Sequence, residues 1–240
     1  GWAGIDRVEP ETMRGLLEAT GRVEIRCGTA WVAAETQGGR IRALVLETAG
    51  RREMIGATFV VDATANLAVA RAVGCVTYLG CEPRTLYHEP SAPTEHQERL
   101  NGVSVCFRAT PVATPAVQPL PTGVPAEVCK PSVSITEYPN GDLNLNPLPI
   151  MEGIEYHRFG EREGRRICEQ RVYQFWHWLQ TEKGFDRYRL VKLFPFTGMR
   201  EGPRLIGRHV LTENDVRAGC SGQRDADRWI TLADHALDVH

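Results

Sequence analysis

The sequence lacks the patterns that mark membrane proteins and nucleic-acid-binding proteins. It has no apolar run near the roughly 18 residues that a membrane span needs. Residues 1–10 lack the basic start and the apolar stretch of a signal peptide. Lys and Arg number 28 against 30 Asp and Glu, so the basic excess typical of a nucleic-acid surface is missing too. We therefore expect a protein that binds neither membranes nor nucleic acids.

The sequence also lacks metal-binding and redox motifs. Its seven cysteines are widely spaced and form no CxxC, and its histidines form neither HxxxH nor HExxH. We therefore predict that the protein has no metal site. Free thiols in this number are typical of a reducing compartment, which favours the cytoplasm.

The first sixty residues contain short alternating runs that are typical of an antiparallel β-meander. Met13, Leu16 and Leu17 repeat at helical spacing, and the glycines of the segment 37–39 favour a tight turn. The apolar run at 59–61 is flanked by residues that break regular structure, which predicts a fully buried strand. The predicted elements are helices at residues 10–21 and 67–73 and strands at residues 23–27, 29–35, 41–48, 51–55 and 59–61.

The rest of the sequence predicts a second sheet covered by one long helix. Six prolines lie between residues 110 and 131, a density that excludes a helix and predicts a long exposed loop. The turn residues at 139–141 predict a hairpin, and residues 212–215 resemble a helix capping box. The predicted elements are strands at residues 102–108, 132–137, 142–145 and 190–196 and a helix at residues 154–182, whose apolar face carries Ile167, Val172, Phe175, Trp176 and Leu179.

These patterns together predict a mixed α+β fold. A β-meander and one buried strand come first, and a mixed antiparallel sheet under a long helix follows. We place the boundary between two domains at residues 80 and 81, which gives a domain of residues 1–80 and a domain of residues 81–240.

Several motifs in the expected order resemble one family of enzymes. The segments GTAWV, GRI, VVDATAN and AVG lead from the meander into the second predicted helix, and an NGD hairpin follows at 140–142. The segments GMREGPRLIG, VLTENDV and DVH come later, at residues 198–207, 210–216 and 238–240. In this order and spacing, the chain resembles FAD-dependent oxidoreductases with a glutathione-reductase-like flavin fold.

The resemblance implies an enzyme that passes a hydride from a small organic substrate to FAD. Residues 1–80 would then form part of the FAD-binding domain, and residues 81–240 would form the substrate domain. The flavin would carry the redox chemistry, while the protein would supply orientation and electrostatics.

The resemblance also implies which residues form the site. The forked guanidinium of an arginine suits a carboxylate substrate or the electron-rich flavin ring, and a histidine can move a proton near neutral pH. Alternative interpretations are a plain strand-to-helix turn at the flavin-binding segment, an ion-paired scaffold for the charged residues and a frayed terminus for the histidine. The implied cofactor-binding residues are Val32, through main-chain atoms near the adenine, and Ala63, Thr64 and Ala65; the implied catalytic residues are Arg200, Glu201, Arg204 and His240.

The chain has no GxGxxG loop after a strand, although such a loop holds the FAD pyrophosphate in this family. We therefore expect an interior fragment that is inactive alone and that needs its missing FAD-binding segments or a partner chain. Because the predicted strand at 59–61 lacks neighbours, we also expect the chain to self-associate into homo-oligomers. The alternatives are a non-catalytic module that binds a ligand or a partner, and one half of a split flavoprotein.

Overall fold

The computed structural model describes residues 5–64, 66–127 and 129–223. The chain divides into two compact units, Gly1–Cys75 and Val76–His240. Both contain helices and antiparallel strands, so the predicted mixed α+β fold is confirmed. The assignment of residues 1–80 and 81–240 to FAD-binding and substrate domains stays a prediction.

Unit 1 is built on the predicted β-meander. Its elements are α1 (Ile5–Glu18), β1 (Thr29–Gln37), β2 (Arg40–Thr48), β3 (Arg51–Gly56) and α2 (Ala68–Ala72). The three strands are antiparallel in the order β1-β2-β3, because each follows its neighbour through a turn with positive-φ glycine. α2 ends before Gly74, whose φ is +79°, as the sequence predicts. The first helix begins at Ile5 rather than at residue 10.

The prediction of two further strands in unit 1 is wrong. Residues 23–27 and 59–61 belong to no strand. Phe59 and Val61 are 88% and 90% exposed, although their apolar character predicts burial. A buried strand needs a neighbour on each side and a layer on each face, and the described residues offer none to this segment.

Unit 2 contains a four-stranded antiparallel sheet in the order β6-β7-β5-β8. Its elements are β4 (Thr77–Tyr78), α3 (Arg84–Tyr87), β5 (Phe107–Pro111), β6 (Ser132–Glu137), β7 (Leu143–Leu148), α4 (Gly153–Phe159), α5 (Glu161–Glu182), a 3₁₀ turn (Phe185–Arg187), β8 (Tyr188–Leu193), β9 (Arg204–Leu205) and α6 (Glu213–Gly222). β6 and β7 form the predicted hairpin. β5 begins at Phe107, later than predicted, because Val103 and Ser104 make single bridges with Met151 and Gly198 instead of a continuous ladder.

The core of unit 2 lies between this sheet and α5. Alternate residues of β5 and β7 are buried, as the two-residue period of a strand requires when one face meets a helix. Phe107 and Trp176 pack edge to face at 5.7 Å between ring centroids. Val172, Phe175 and Leu179 are also buried, so the predicted apolar face of the long helix is confirmed.

The long helix is interrupted at Gly160, so the single helix predicted at 154–182 is wrong. Gly160 has φ 77° and ψ 167°, a backbone conformation that lies outside any helix. The Tyr156 ring packs against Gly164, where an added Cβ would approach the ring within 2.7 Å. The bend at Gly160 therefore folds α4 against the first turn of α5.

The proline-rich segment is a loop, as predicted, and one side chain fastens it to the core. The Gln118 side-chain oxygen accepts hydrogen bonds of 2.7 Å from the indole N–H of Trp176 and from the backbone N–H of Leu190. The loop is therefore partly inserted between α5 and β8 rather than exposed throughout.

Candidate functional site

A turn at Asp62–Thr64 joins the exposed apolar segment of unit 1 to α2. The Asp62 carboxylate accepts hydrogen bonds from the backbone N–H and the hydroxyl of Thr64, at 3.0 and 2.6 Å, and from the backbone N–H of Ala70, at 2.9 Å. The Thr64 hydroxyl oxygen in turn accepts from the backbone N–H of Ala68 at 2.8 Å. The two side chains thus fix the turn, and Ala63 and Thr64 stay exposed on it.

These hydrogen bonds lower the pKa of Asp62. Desolvation by the surrounding chain raises this pKa, but the hydrogen bonds from Thr64, Ala70 and Val69 together outweigh the desolvation and leave the pKa below its ordinary value of 3.8. Since the folded pKa is depressed, the stabilising contribution of Asp62 is present above the ordinary value and is lost as the pH falls through the folded one.

We expect the Asp62→Asn substitution to lower the free energy of unfolding of unit 1 by about 1 kcal/mol at pH 7, because it removes charge-assisted hydrogen bonds. The difference from the unsubstituted chain should shrink as the pH falls below 3.8. Urea unfolding of both proteins at pH 7 and at a pH below 3.8 measures this difference in the free energy of unfolding. Glu35→Gln, at an exposed carboxylate without an ion pair in the described part of the chain, is the control. A loss that is equal at both pH values would contradict the proposed role of the charge.

Val32 lies at an irregular position of β1. The ladder with β2 shifts register between Trp31 and Ala33, so that Val32 is the additional residue of a β-bulge. A bulge leaves the main-chain groups of its additional residue outside the regular hydrogen-bond ladder. Val32 therefore has backbone atoms available to a ligand, and its side chain is partly exposed.

Unit 1 also contains an open cavity of about 690 Å³. The ends of β2 and β3, the segment at 57–60 and the residues after α2 line it. Arg40 and Arg42 are on this lining, and neither forms an ion pair with another described residue. The cavity thus combines uncompensated positive charge with the exposed ring of Phe59.

In unit 2, two of the predicted catalytic residues meet at Asn101. The Glu201 carboxylate accepts a hydrogen bond from the backbone N–H of Asn101 at 2.5 Å, and the Arg200 guanidinium donates to the Asn101 side-chain oxygen at 3.4 Å. The paired backbones of Ser104 and Gly198 hold the loop just before these residues. Arg200 is exposed and has no ion pair within the described ranges, so most of its N–H donors are free.

Arg204 lies apart from this pair and forms a different contact. Its guanidinium donates to both carboxylate oxygens of Glu82, at 3.0 and 2.6 Å, and also to the backbone carbonyl of Gly80. Glu82 is 18% exposed at its side chain, so the pair is largely shielded from water on the acidic side. Within the described residues, Arg204 thus has its charge compensated by Glu82, whereas Arg200 forms no ion pair.

The partners of these residues lie far away in the sequence. Asn101 precedes Glu201 by 100 positions, and Glu82 precedes Arg204 by 122. No local motif marks either one, since only the folded backbone brings such distant segments together. Two predicted site residues, Ala65 and His240, lie outside the described residues.

The described part of the chain shows no group of three His, Cys, Asp or Glu side chains that could hold a metal ion. No helix in it is long and apolar enough to cross a membrane. All seven cysteines are free.

A family model described as FAD dependent oxidoreductase matches residues 6–240 of the chain. The chain belongs to this family. No curated protein and no solved structure matches it. The family establishes an oxidoreductase role and FAD as the cofactor, in agreement with the resemblance drawn from the sequence motifs.

The residues of this oxidoreductase suit parts of an FAD molecule. The exposed turn at Ala63 and Thr64 lets a flat group approach the main chain, since both side chains are small. The bulge leaves main-chain groups of Val32 outside the regular strand ladder. The described residues contain no glycine-rich loop for the pyrophosphate.

Proposed function

We propose that this chain supplies the substrate domain and part of the FAD-binding domain of an enzyme that passes a hydride from a small organic substrate to flavin. The observation that carries the proposal is the arrangement at Asn101, which fixes the Glu201 carboxylate and leaves the Arg200 guanidinium without an ion pair among the described residues. The bound flavin would supply the hydride-accepting chemistry.

On the cofactor side, we propose that main-chain atoms of Val32 contact the adenine and that Ala63, Thr64 and Ala65 lie along the FAD. The hydrogen bonds of Asp62 support this role, because they hold the turn in place before any ligand binds. The glutathione-reductase-like arrangement of the complete flavin domain is part of the same proposal.

On the substrate side, we propose that Arg200 binds a carboxylate group. A guanidinium forms two parallel hydrogen bonds with a carboxylate, and Arg200 has the free donors for them. Glu201 is a positioning residue in this proposal, since it acts on Arg200 through Asn101. Arg204 would hold the same loop through Glu82, and His240 would move the substrate proton.

We expect the Arg200→Ala substitution to raise KM for a carboxylate substrate by about tenfold while kcat changes little. The reason is that the lost contact stabilises the ground state and the transition state equally. Steady-state turnover of the full-length flavoenzyme with an electron acceptor, unsubstituted and substituted, measures both constants. Arg166→Ala, at an exposed pair with Glu163 on α5, is the matched control. Equal effects on a carboxylate substrate and on its uncharged amide would contradict the proposal.

We also propose that residues 59–61 pair with a strand of the nucleotide-binding sheet, supplied by further segments of the same protein or by a partner chain. The exposure of Phe59 and Val61 supports it, because side chains of this kind rarely face water together. We expect the isolated chain to self-associate, and Phe59→Ser with Val61→Ser to reduce its mass by light scattering toward the monomer value of 26.7 kDa.

The control for this experiment is Met54→Ser, on the exposed side of β3. If both variants stay as associated as the unsubstituted chain, the segment at 59–61 does not mediate the self-association.

The intact mass of the native protein separates the remaining cases. A mass well above 26.7 kDa supports the larger flavoenzyme, and a co-purifying chain supports a split flavoprotein. The free thiols support our proposal that the enzyme works in the cytoplasm.

A further inference from the structure

Unit 2 has a cavity of about 280 Å³ between the proline-rich loop and α5. Its volume is near the lower end of ligand-binding clefts, which begin at about 300 Å³. Polar and apolar groups line it together: Pro125 and Ile167 on the apolar side, and Gln170, Arg171 and Gln174 on the polar side. Nothing in the proposed reaction uses these residues.

Gln174 is the most deeply buried polar side chain among the described residues of the cavity wall. It is only 8% exposed, and its amide nitrogen donates to the backbone carbonyl of Pro125 at 2.9 Å. Its amide oxygen has no hydrogen-bond donor among the described residues, although it belongs to the cavity wall. This oxygen is not one of the fully buried atoms without a partner, so solvent in the cavity reaches it. Gln174 therefore presents a free acceptor to whatever enters the cavity.

Gln170 lies one helical turn earlier on the same face of α5. Its side chain is half-buried, lines the cavity and has no hydrogen-bond partner within the described ranges. A carboxamide supplies both N–H donors and a carbonyl acceptor. The two glutamines can thus accept an N–H from a ligand and donate to a carbonyl of the same ligand.

The charges around the cavity do not favour an anion. Arg171 is already paired with Glu155, at 2.8 Å, and also donates to the backbone carbonyl of Ile150 at 3.2 Å. Glu127 adds a carboxylate at the exposed rim. A ligand that carries a carboxylate or a phosphate would meet no uncompensated cation on this wall.

We propose that this cavity binds a small uncharged ring with adjacent N–H and C=O groups, as in a nucleobase or a lactam. The Gln174 oxygen accepts the ring N–H, and the Gln170 amide donates to the ring carbonyl. Pro125 and Ile167 pack against the flat faces of the ring. None of these residues takes part in the proposed hydride transfer. Ligand binding at this cavity can therefore be tested independently of that function.

The test uses uracil as the probe and orotate, the same ring with a carboxylate, as the charged comparison. Saturation-transfer NMR on the full chain measures both. We expect uracil to bind with a dissociation constant in the millimolar range or below, orotate to bind at least tenfold more weakly, and Gln174→Leu and Gln170→Leu each to weaken uracil at least tenfold. Gln37→Leu, at the end of β1 in unit 1, should leave the binding unchanged.

Circular dichroism of each variant establishes that it is folded, and Gln170→Leu serves as the test if Gln174→Leu does not fold. Absence of uracil binding to the unsubstituted chain would overturn the proposal. Binding that both glutamine variants retain would overturn it too, because the ring would then lie elsewhere. Equal binding of uracil and orotate would overturn the proposed selectivity for an uncharged ligand.

Discussion

Replacing Phe175 by alanine is expected to lower the free energy of unfolding of unit 2 by about 4 kcal/mol, within the range measured for buried phenylalanines. Phe175 is fully buried in the layer between α5 and the sheet. Its ring stacks on Trp178 at 5.9 Å between centroids. Truncation removes these contacts and leaves a cavity that the surrounding rigid elements fill only in part. Equilibrium unfolding in urea, followed by tryptophan fluorescence, measures the loss.

The matched control is Phe196→Ala, since Phe196 is 81% exposed in the same unit. We expect this change to alter the free energy of unfolding by less than about 0.5 kcal/mol. Similar losses in the free energy of unfolding at both positions would contradict the burial of Phe175 between α5 and the sheet.

The second large effect is expected at Arg204. The Arg204→Met substitution keeps most of the side-chain length but removes the charge and every hydrogen-bond donor. It leaves the shielded Glu82 carboxylate and the Gly80 carbonyl without their partner. We expect a loss of about 3 kcal/mol, at the low end for breaking a buried pair because Arg204 itself is 39% exposed.

A double-mutant cycle with Glu82→Gln separates the pair from other effects of the substitution. If the ion pair is the cause, the double variant should be more stable than the sum of the two single changes predicts. Arg204→Lys tests the geometry, since lysine keeps the charge but not the two parallel hydrogen bonds. Unchanged stability together with a raised KM would instead place Arg204 in contact with substrate.

Much of the fold could be predicted from local patterns. The meander, the hairpin of β6 and β7 and the apolar face of α5 all follow from side-chain periodicity and turn residues, which act within a few positions. The capping box at Thr212 is another case: the Thr212 hydroxyl oxygen accepts from the backbone N–H of Asp215, and the Asp215 carboxylate accepts from the backbone N–H of Thr212, as the spacing predicts.

The errors share one physical cause. The apolar segment at 59–61 predicts a buried strand, but burial requires neighbours that the described chain does not provide. The break at Gly160 is similar, because the residues on either side have helical periodicity, while the positive φ of Gly160 and the packing of Tyr156 on Gly164 accompany the bend. Local pattern determines which structure a segment can form, and its neighbours determine whether it does.

The candidate site shows the same division. The sequence by itself determined the family, the cofactor class and the charged loop at 198–204, since those depend on residue identity and order. Only the tertiary structure decided that Arg204 is paired with Glu82 while Arg200 contacts Asn101 and has no ion pair in the described part of the chain. Likewise, only it placed the two glutamines of α5 against the proline-rich loop. Charge compensation and hydrogen-bond satisfaction depend on distances of a few ångströms between residues far apart in the chain, and folding alone sets those distances.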